Sequence, residues 1–244
     1  VVASLSFWVG LAGGLVPIGL AALCAAAVLA AAPECLALLR RLPLLATRAA
    51  RAAALGAGRP MISPWLILPV VALGLVAFNA LVTALAPPVA WDVLAYHLAL
   101  PKLYLRWGRI EEIPWMIHSH WPHLMEALYA LPLAWGGETT AALLHGAACA
   151  ALAAALWRVA RAEMGDAAAW VTVALWASQP SLLVLAGTAH SDGAVSLFIF
   201  LSTAAVIDWK RTGRGGWLLL GGILAGLAAS SKLHGAVHLA SLAV

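Results

Sequence analysis

Long apolar runs separated by short polar connectors set the pattern of this chain. Six runs stand out, at residues 5–32, 64–86, 138–157, 167–188, 194–209 and 217–231. Each reads as a membrane-spanning helix, for which about 20 consecutive apolar residues suffice. The fifth is short and needs flanking residues to complete its crossing. Pro69 is placed to kink the second span, and Pro180 lies inside the fourth. Gly10 with Gly14, and Gly222 with Gly226, have the spacing that lets helices approach closely. Beyond Lys232 the chain stays apolar to Val244, as a new span or as a continuation of the sixth.

The longest interruption on one side is the loop at residues 87–137. Pro87 and Pro88 end the second span, since proline has no backbone donor to continue a helix. Residues 92–107 read as a short amphipathic helix, interrupted or kinked at Pro101. Leu94, Leu98, Leu103 and Leu105 give it contact area, and Trp91, Tyr96, Tyr104 and Trp107 suit a membrane interface. Residues 110–123 form a loop marked by Pro114 and Pro122. A second short helix spans residues 124–135 and is closed by Gly136 and Gly137. The pattern therefore predicts an all-α polytopic bundle with a long loop carrying interfacial helices. An N-terminal unit at 1–63, one helix plus an Arg-rich connector, precedes a core at 64–244.

Composition agrees. Of 244 residues, 64% are hydrophobic and 10% charged, against about 25% charged in a soluble domain. Mean hydropathy is +0.96. The net charge of +4 is small and gives no basis for nucleic-acid binding. Three cysteines, Cys24, Cys35 and Cys149, show no disulfide or zinc-ribbon spacing. The first residue is Val1 and the last lies in an apolar run, so the sequence reads as a piece of a longer protein.

Charge sets the orientation. Connectors 33–63, 158–166 and 210–216 hold ten of the fourteen lysines and arginines. The alternate side holds Lys102, Arg106, Arg109 and Lys232. Positive connectors face the cytoplasm. The loop at 87–137, Asp192 and Lys232 then all approach the outer face.

On that side lie the candidates for chemistry. Asp92 starts the amphipathic segment, as a helix cap or as a base. Asp192, in Ser191-Asp192-Gly193, is either a turn residue capping the fifth span or a second acid binding a metal, phosphate or acceptor. Lys232 snorkels to the surface or holds a phosphate. His97 and His190 each neighbour an outer acid and are expected to titrate near neutrality. Tyr96, Lys102 and Arg106 are candidate substrate contacts. His118, His120 and His123 are weak candidates for a divalent metal, because their spacing fits no zinc signature. His145 reads as a packed polar residue within the third span. Glu111 and Glu112 read as an exposed pair, and Glu126 as part of a polar helix face.

In order, these features resemble the GT-C superfamily of membrane glycosyltransferases, in the branch of the protein O-mannosyltransferases and the lipid A aminoarabinose transferase. The residues that carry the resemblance are Asp92-x-x-x-Tyr96-His97, Pro101-Lys102-x-Tyr104-Leu105 and Gly108. Pro122-x-x-x-Glu126-x-Leu128-Tyr129, Pro180, Asp192, and Gly222-x-x-x-Gly226 with Lys232 continue it, from about Pro87 to Gly235. The resemblance implies an inverting transfer from a polyprenyl-phosphate sugar at the outer face. It makes Asp92 the general base, Asp192 a second acid and Lys232 a phosphate contact. It implies a lipid, glycan or protein acceptor, contact with membrane lipids, and a bacterial inner membrane with the site facing the periplasm or exterior. Two departures stand against the family pattern: Val93 follows Asp92 where relatives often carry a second acid, and an extra span precedes the loop. A transporter or flippase of lipid-linked sugar, or a non-catalytic scaffold, would use the same residues without chemistry.

Overall fold

A computed structural model describes residues 2–26, 29, 32–33 and 67–242. Those residues form helices and connecting turns, with no strand among them. The chain begins with α1 (Val2–Leu11) and α2 (Pro17–Ala26). It continues through α3 (Ile67–Leu85), a π-helical turn (Val93–His97), α4 (Ala99–Trp107), a 3-10 turn (Ile117–His120) and α5 (Leu124–Trp135). There follow α6 (Gly137–Met164), α7 (Asp166–Ala177), α8 (Pro180–Leu185), α9 (Asp192–Thr212), α10 (Gly215–Ser231) and α11 (Leu233–Leu242). The Arg-rich connector falls almost wholly outside the described residues.

Three helices, α3, α6 and α9, are long and apolar enough to cross a membrane. On α3, Leu68, Leu75 and Phe78 are 75%, 61% and 67% exposed. So broad an apolar face suits lipid and not water. Helices α6 and α9 run parallel. Near their starts, the Gly193 amide donates to His145 Nε2 at 2.9 Å. Eighteen residues further along each, Arg211 makes a two-pronged ion pair with Glu163. That separation is roughly 27 Å of helix rise, a near-complete crossing of the hydrocarbon.

Several expected spans are cut differently. The first run is two helices, because the chain turns at Gly13, whose φ is +77°. The Leu15 amide then donates to the Gly108 carbonyl and the Ile110 amide to the Gly10 carbonyl, each at 2.8 Å. This ties the N-terminal segment to the loop, where Leu15, Leu20 and Leu23 bury against Leu100, Tyr104 and Ile113. The fourth run breaks at Ser178-Gln179. Gln179 is extended, with φ −69° and ψ 122°, and Pro180 opens α8. A residue before proline avoids helical geometry, and proline is tolerated in a first turn. The fifth span is not short: α9 has 21 residues. After α10 the chain breaks at Lys232, φ −161° and ψ 149°, and α11 starts anew. Gly235 lies against the Ala228 carbonyl so closely that a Cβ there would sit 2.1 Å from it.

The loop helices also differ in detail. The break after Asp92 falls at Leu98, where a π turn hands over to α4, and not at Pro101. Pro101 sits in the first turn of α4, where no amide donor is missed. Gly108, in left-handed geometry with φ +72°, closes α4. Trp91, Trp115, Trp121 and Trp135 are all exposed around this end of the bundle, as a membrane interface favours.

Candidate functional site

The loop packs on the ends of the long helices and borders a cavity of about 350 Å³. Tyr96, His97, His118, Trp121, Glu126 and Lys232 line it, with others. The π turn positions Tyr96 and His97, the 3-10 turn His118, the first turn of α5 Glu126, and the α10–α11 break Lys232. The 3-10 turn is held by Ser119, whose hydroxyl accepts from the Ile113 amide at 3.1 Å and contacts the Met116 carbonyl at 2.8 Å. That turn lays the His118 ring flat on Tyr96, centroids 4.3 Å apart and planes 3° apart. Trp121 stands edge-on to His118 at 4.5 Å.

Beneath this aromatic wall, His97 Nδ1 lies 2.5 Å from Glu126 Oε1. The two side chains are 1% and 3% exposed. A carboxylate this deep is tolerated only when it is paired and hydrogen-bonded. Yet, among the described residues, His97 Nε2 and Glu126 Oε2 have no partner, and neither do Tyr104 Oη and His123 Nε2 beside them. Buried polar atoms are nearly always satisfied, so this cluster calls for a ligand or water.

On the adjoining wall Lys232 Nζ donates to Asp192 Oδ1 at 2.7 Å, both residues about one-third exposed. His190 lies between this pair and His97, its ring 5.1 Å from that of His97. Burial, and then the charge of His97, push the His190 imidazole down to about 4 against the pull of Asp192 and Asp92. The Tyr96 phenol is pushed up to about 12 by burial and by Asp92, Glu126 and Asp192. Both aspartates are therefore close enough to act on Tyr96 and on His190.

Residues 117–244, just over half of the chain, match the dolichyl-phosphate-mannose-protein mannosyltransferase family. The chain belongs to that family. No curated protein and no solved structure matches it. It is a membrane glycosyltransferase of the GT-C type and an integral membrane protein, and the match takes in His118, Glu126, His190, Asp192 and Lys232.

The other expected site residues of the transferase scatter more widely. Asp92 is half-buried at the head of the π turn and makes no capping bond. Among the described residues it has no hydrogen bond or ion pair, so the cap reading is not supported. Asp192 does not cap α9 either; its carboxylate faces Lys232. Lys102 is tied to Glu138 on α6, and Arg106 is exposed on the last turn of α4. Neither lines the cavity.

Three other expectations are corrected. His190 does not titrate near neutrality, because burial outweighs the acids near it. The three loop histidines do not converge on a metal. His118 stacks on Tyr96, His120 Nε2 meets Glu112 at 2.8 Å, and His123 Nδ1 meets the Trp121 carbonyl at 2.6 Å. No group of three or more metal-ligating side chains occurs among the described residues. Glu126 is not on a polar face; it is the most deeply buried acid of the transferase site. Its signal was legible: one carboxylate within the otherwise apolar run LMEALYALPLAW needs a partner inside the fold.

His145 is a packed polar residue, as its position within a span suggested. Its Nε2 accepts from Gly193, which leaves Nδ1 to donate to the Leu185 carbonyl at 3.0 Å. The imidazole thereby sets the start of α9 and the height of Asp192.

Proposed function

We propose that this protein transfers a sugar from a polyprenyl-phosphate donor to an acceptor hydroxyl at the outer face of the membrane. Asp92 acts as general base. The carrying observation is that Asp92, among the described residues, is unpaired and half-buried, and that its charge acts on the same Tyr96 and His190 as that of Asp192. A base must be free to take a proton, whereas Asp192 is engaged with Lys232 and Glu126 with His97.

The reaction proceeds in one displacement. The acceptor oxygen attacks the anomeric carbon and gives its proton to Asp92. The bond from that carbon to the phosphate oxygen breaks, and polyprenyl phosphate leaves with the electron pair. The configuration inverts. No acid is needed at the leaving group, because phosphate already stabilises the charge, and Lys232 supplies a cation as it develops. His190 is neutral at pH 7 and adds no competing charge.

The charge pattern supports the outer placement. Arg158, Arg161, Lys210, Arg211 and Arg214 lie at the far ends of α6, α9 and α10, away from the cavity. A bacterial inner membrane with the site toward the periplasm fits this arrangement, and the acceptor is a lipid, glycan or protein hydroxyl. The family's printed description names dolichyl-phosphate mannose as donor and protein as acceptor, so a mannosyl donor is the first to test.

The test is Asp92→Asn in full-length protein, assayed with a polyprenyl-phosphate sugar. Transfer is expected to fall by about 10²–10⁴-fold, the usual worth of a positioned base. The amount of folded protein should be unchanged, since the side chain makes no capping bond and, among the described residues, no other bond to lose. Near-wild-type turnover would remove Asp92 from the mechanism.

A further inference from the structure

We propose that His97 is a further catalytic residue whose Nε2 accepts a hydrogen bond from a hydroxyl of the group being transferred, with Glu126 as the positioning residue that keeps this nitrogen an acceptor. The proposal rests on the transferase reading. The contact moves no proton, and the role of base stays with Asp92.

The pair decides which imidazole nitrogen does what. His97 Nδ1 lies 2.5 Å from Glu126 Oε1, and the two side chains are 1% and 3% exposed. A single proton lies between them. An imidazole nitrogen is a stronger base than a carboxylate, so the proton rests on Nδ1 and Glu126 accepts it. In the neutral ring the lone pair then belongs to Nε2. That atom is buried and has no partner among the described residues, and the ring it belongs to lines the cavity. A bare acceptor in so dry a place is costly until a donor reaches it. A ligand hydroxyl is such a donor.

The ring is held where it is. Tyr96 packs against it with centroids 4.1 Å apart, and the His190 ring lies 5.1 Å away. The backbone beneath is the π turn at Val93–His97. Such turns are rare and gather at functional sites. This one sends His97 to Glu126 on α5 while Tyr96, one residue earlier, meets His118.

The contact is worth most during the reaction. As the bond to phosphate breaks, the anomeric carbon gains positive charge, and hydroxyls on the same ring become stronger donors. A fixed acceptor facing one of them binds the transition state better than the ground state. Its loss should therefore lower kcat more than it raises the donor KM.

A purely structural pair, tethering the π turn to α5, needs only Nδ1. His97→Asn separates the two roles. The asparagine amide still donates to Glu126 from about the place of Nδ1, and nothing is left at Nε2. The experiment uses full-length protein in nanodiscs with polyprenyl-phosphate mannose and its monodeoxy analogues. In His97→Asn, kcat should fall by roughly tenfold to a hundredfold, the cost of one unpaired buried group, with donor KM changed less than threefold. One monodeoxy donor should be slow with wild type by a similar factor. In His97→Asn that donor and the parent should react alike, because the partner of the missing hydroxyl is already gone.

A second measurement needs no variant of the pair to be active. In protein labelled with 15N-histidine, with the His97 signals assigned by their absence from His97→Asn or His97→Gln, Nδ1 should carry the proton. Nε2 should shift when the donor binds. A proton found on Nε2, an Nε2 signal unmoved by saturating donor, or wild-type kcat in His97→Asn would each overturn the proposal. So would a full set of deoxy donors that His97→Asn ranks as wild type does. The two readings fail separately. An Nε2 shift on donor binding without any transfer would sink the transferase mechanism alone, and transfer without the shift would sink the role of His97 alone.

Discussion

Replacing His145 with leucine tests how the start of α9 is held. The imidazole is 0% exposed and makes two bonds, accepting from the Gly193 amide and donating to the Leu185 carbonyl. Leucine fills a similar space and orphans both backbone groups. Hydrogen bonds inside membrane proteins average only about 0.6 kcal/mol, because the unfolded chain in the bilayer also finds partners. An orphaned buried group costs about 1–3 kcal/mol. The site lies inside the protein, between α6, α8 and α9, so the second figure governs. Two orphans then cost at least about 2 kcal/mol. The assay is a reversible unfolding titration in mixed detergent, with Thr140→Ala as control. Thr140 bonds the Gly136 carbonyl at 2.8 Å at an exposed position, so its loss should stay within about 0.5 kcal/mol. A His145→Leu loss as small as the control's would refute the reasoning. It would mean that water or a shifted backbone satisfies Gly193, and that His145 does not set the height of Asp192.

Close helix approach gives a second prediction. A Cβ on Gly187 would lie 2.5 Å from the Ala80 carbonyl oxygen and 2.7 Å from Thr83 Cβ. Gly187→Ala should cost about 1–3 kcal/mol in the same titration, and an unchanged midpoint would contradict this packing of α3 on the α8–α9 turn. For topology, single cysteines at Val89 and Trp115, which are 87% and 75% exposed, should react with an impermeant thiol reagent from outside, and one at Thr212 should not. Ser191 is unsuitable because it is 1% exposed. Reaction at Thr212 with protection at Trp115 would invert the orientation. In acid, His190 works against the fold. Its folded value, about 4, lies below the ordinary 6.5, so the unfolded chain takes the proton first. Stability is full above about 6.5 and falls as pH drops toward 4. His190→Gln should flatten that limb, and an equally steep fall in the variant would assign the loss elsewhere.

The apolar runs made the helical class legible, because lipid imposes length and continuity on every crossing. They did not reveal where a crossing breaks. Residues 5–32 are apolar throughout, yet Gly13 turns the chain, and the turn is stabilised by bonds to Gly108 and Ile110 nearly a hundred residues away. Such partners leave no local mark. The same holds at Lys232, where an extended residue between two apolar helices shows only in the close contact of Gly235 with Ala228. At the site, residue type was legible and pairing was not. His97 sits beside Asp92 in sequence but bonds Glu126, because the π turn rotates it onto α5. His190 follows the same rule in reverse: nearby acids suggested a titrating imidazole, and burial decided otherwise.

Lys232 distinguishes a structural ion pair from a phosphate contact. It sits at a break between two helices and lines the cavity while bonded to Asp192 at 2.7 Å. Lys232→Ala alone is ambiguous, because it removes a cation and strands Asp192 together. The pair is about one-third exposed, so its stability is discounted to the range of surface ion pairs, about 0–1 kcal/mol. A double-mutant cycle with Asp192→Asn separates the two roles. If Lys232 only partners Asp192, the double variant should recover donor affinity, since no charge is left stranded. If Lys232 holds the donor phosphate, the double variant should bind as weakly as Lys232→Ala, and Lys232→Arg should retain part of the affinity. A charged hydrogen bond of about 1.5–3 kcal/mol puts the loss at roughly 10- to 150-fold. The measurement is the dissociation constant of a short-chain polyprenyl-phosphate sugar at two salt concentrations. A lost phosphate contact should also reduce the salt dependence of binding, which a lost helix contact should not. Recovery in the double variant, with salt dependence unchanged throughout, would return Lys232 to a purely structural role.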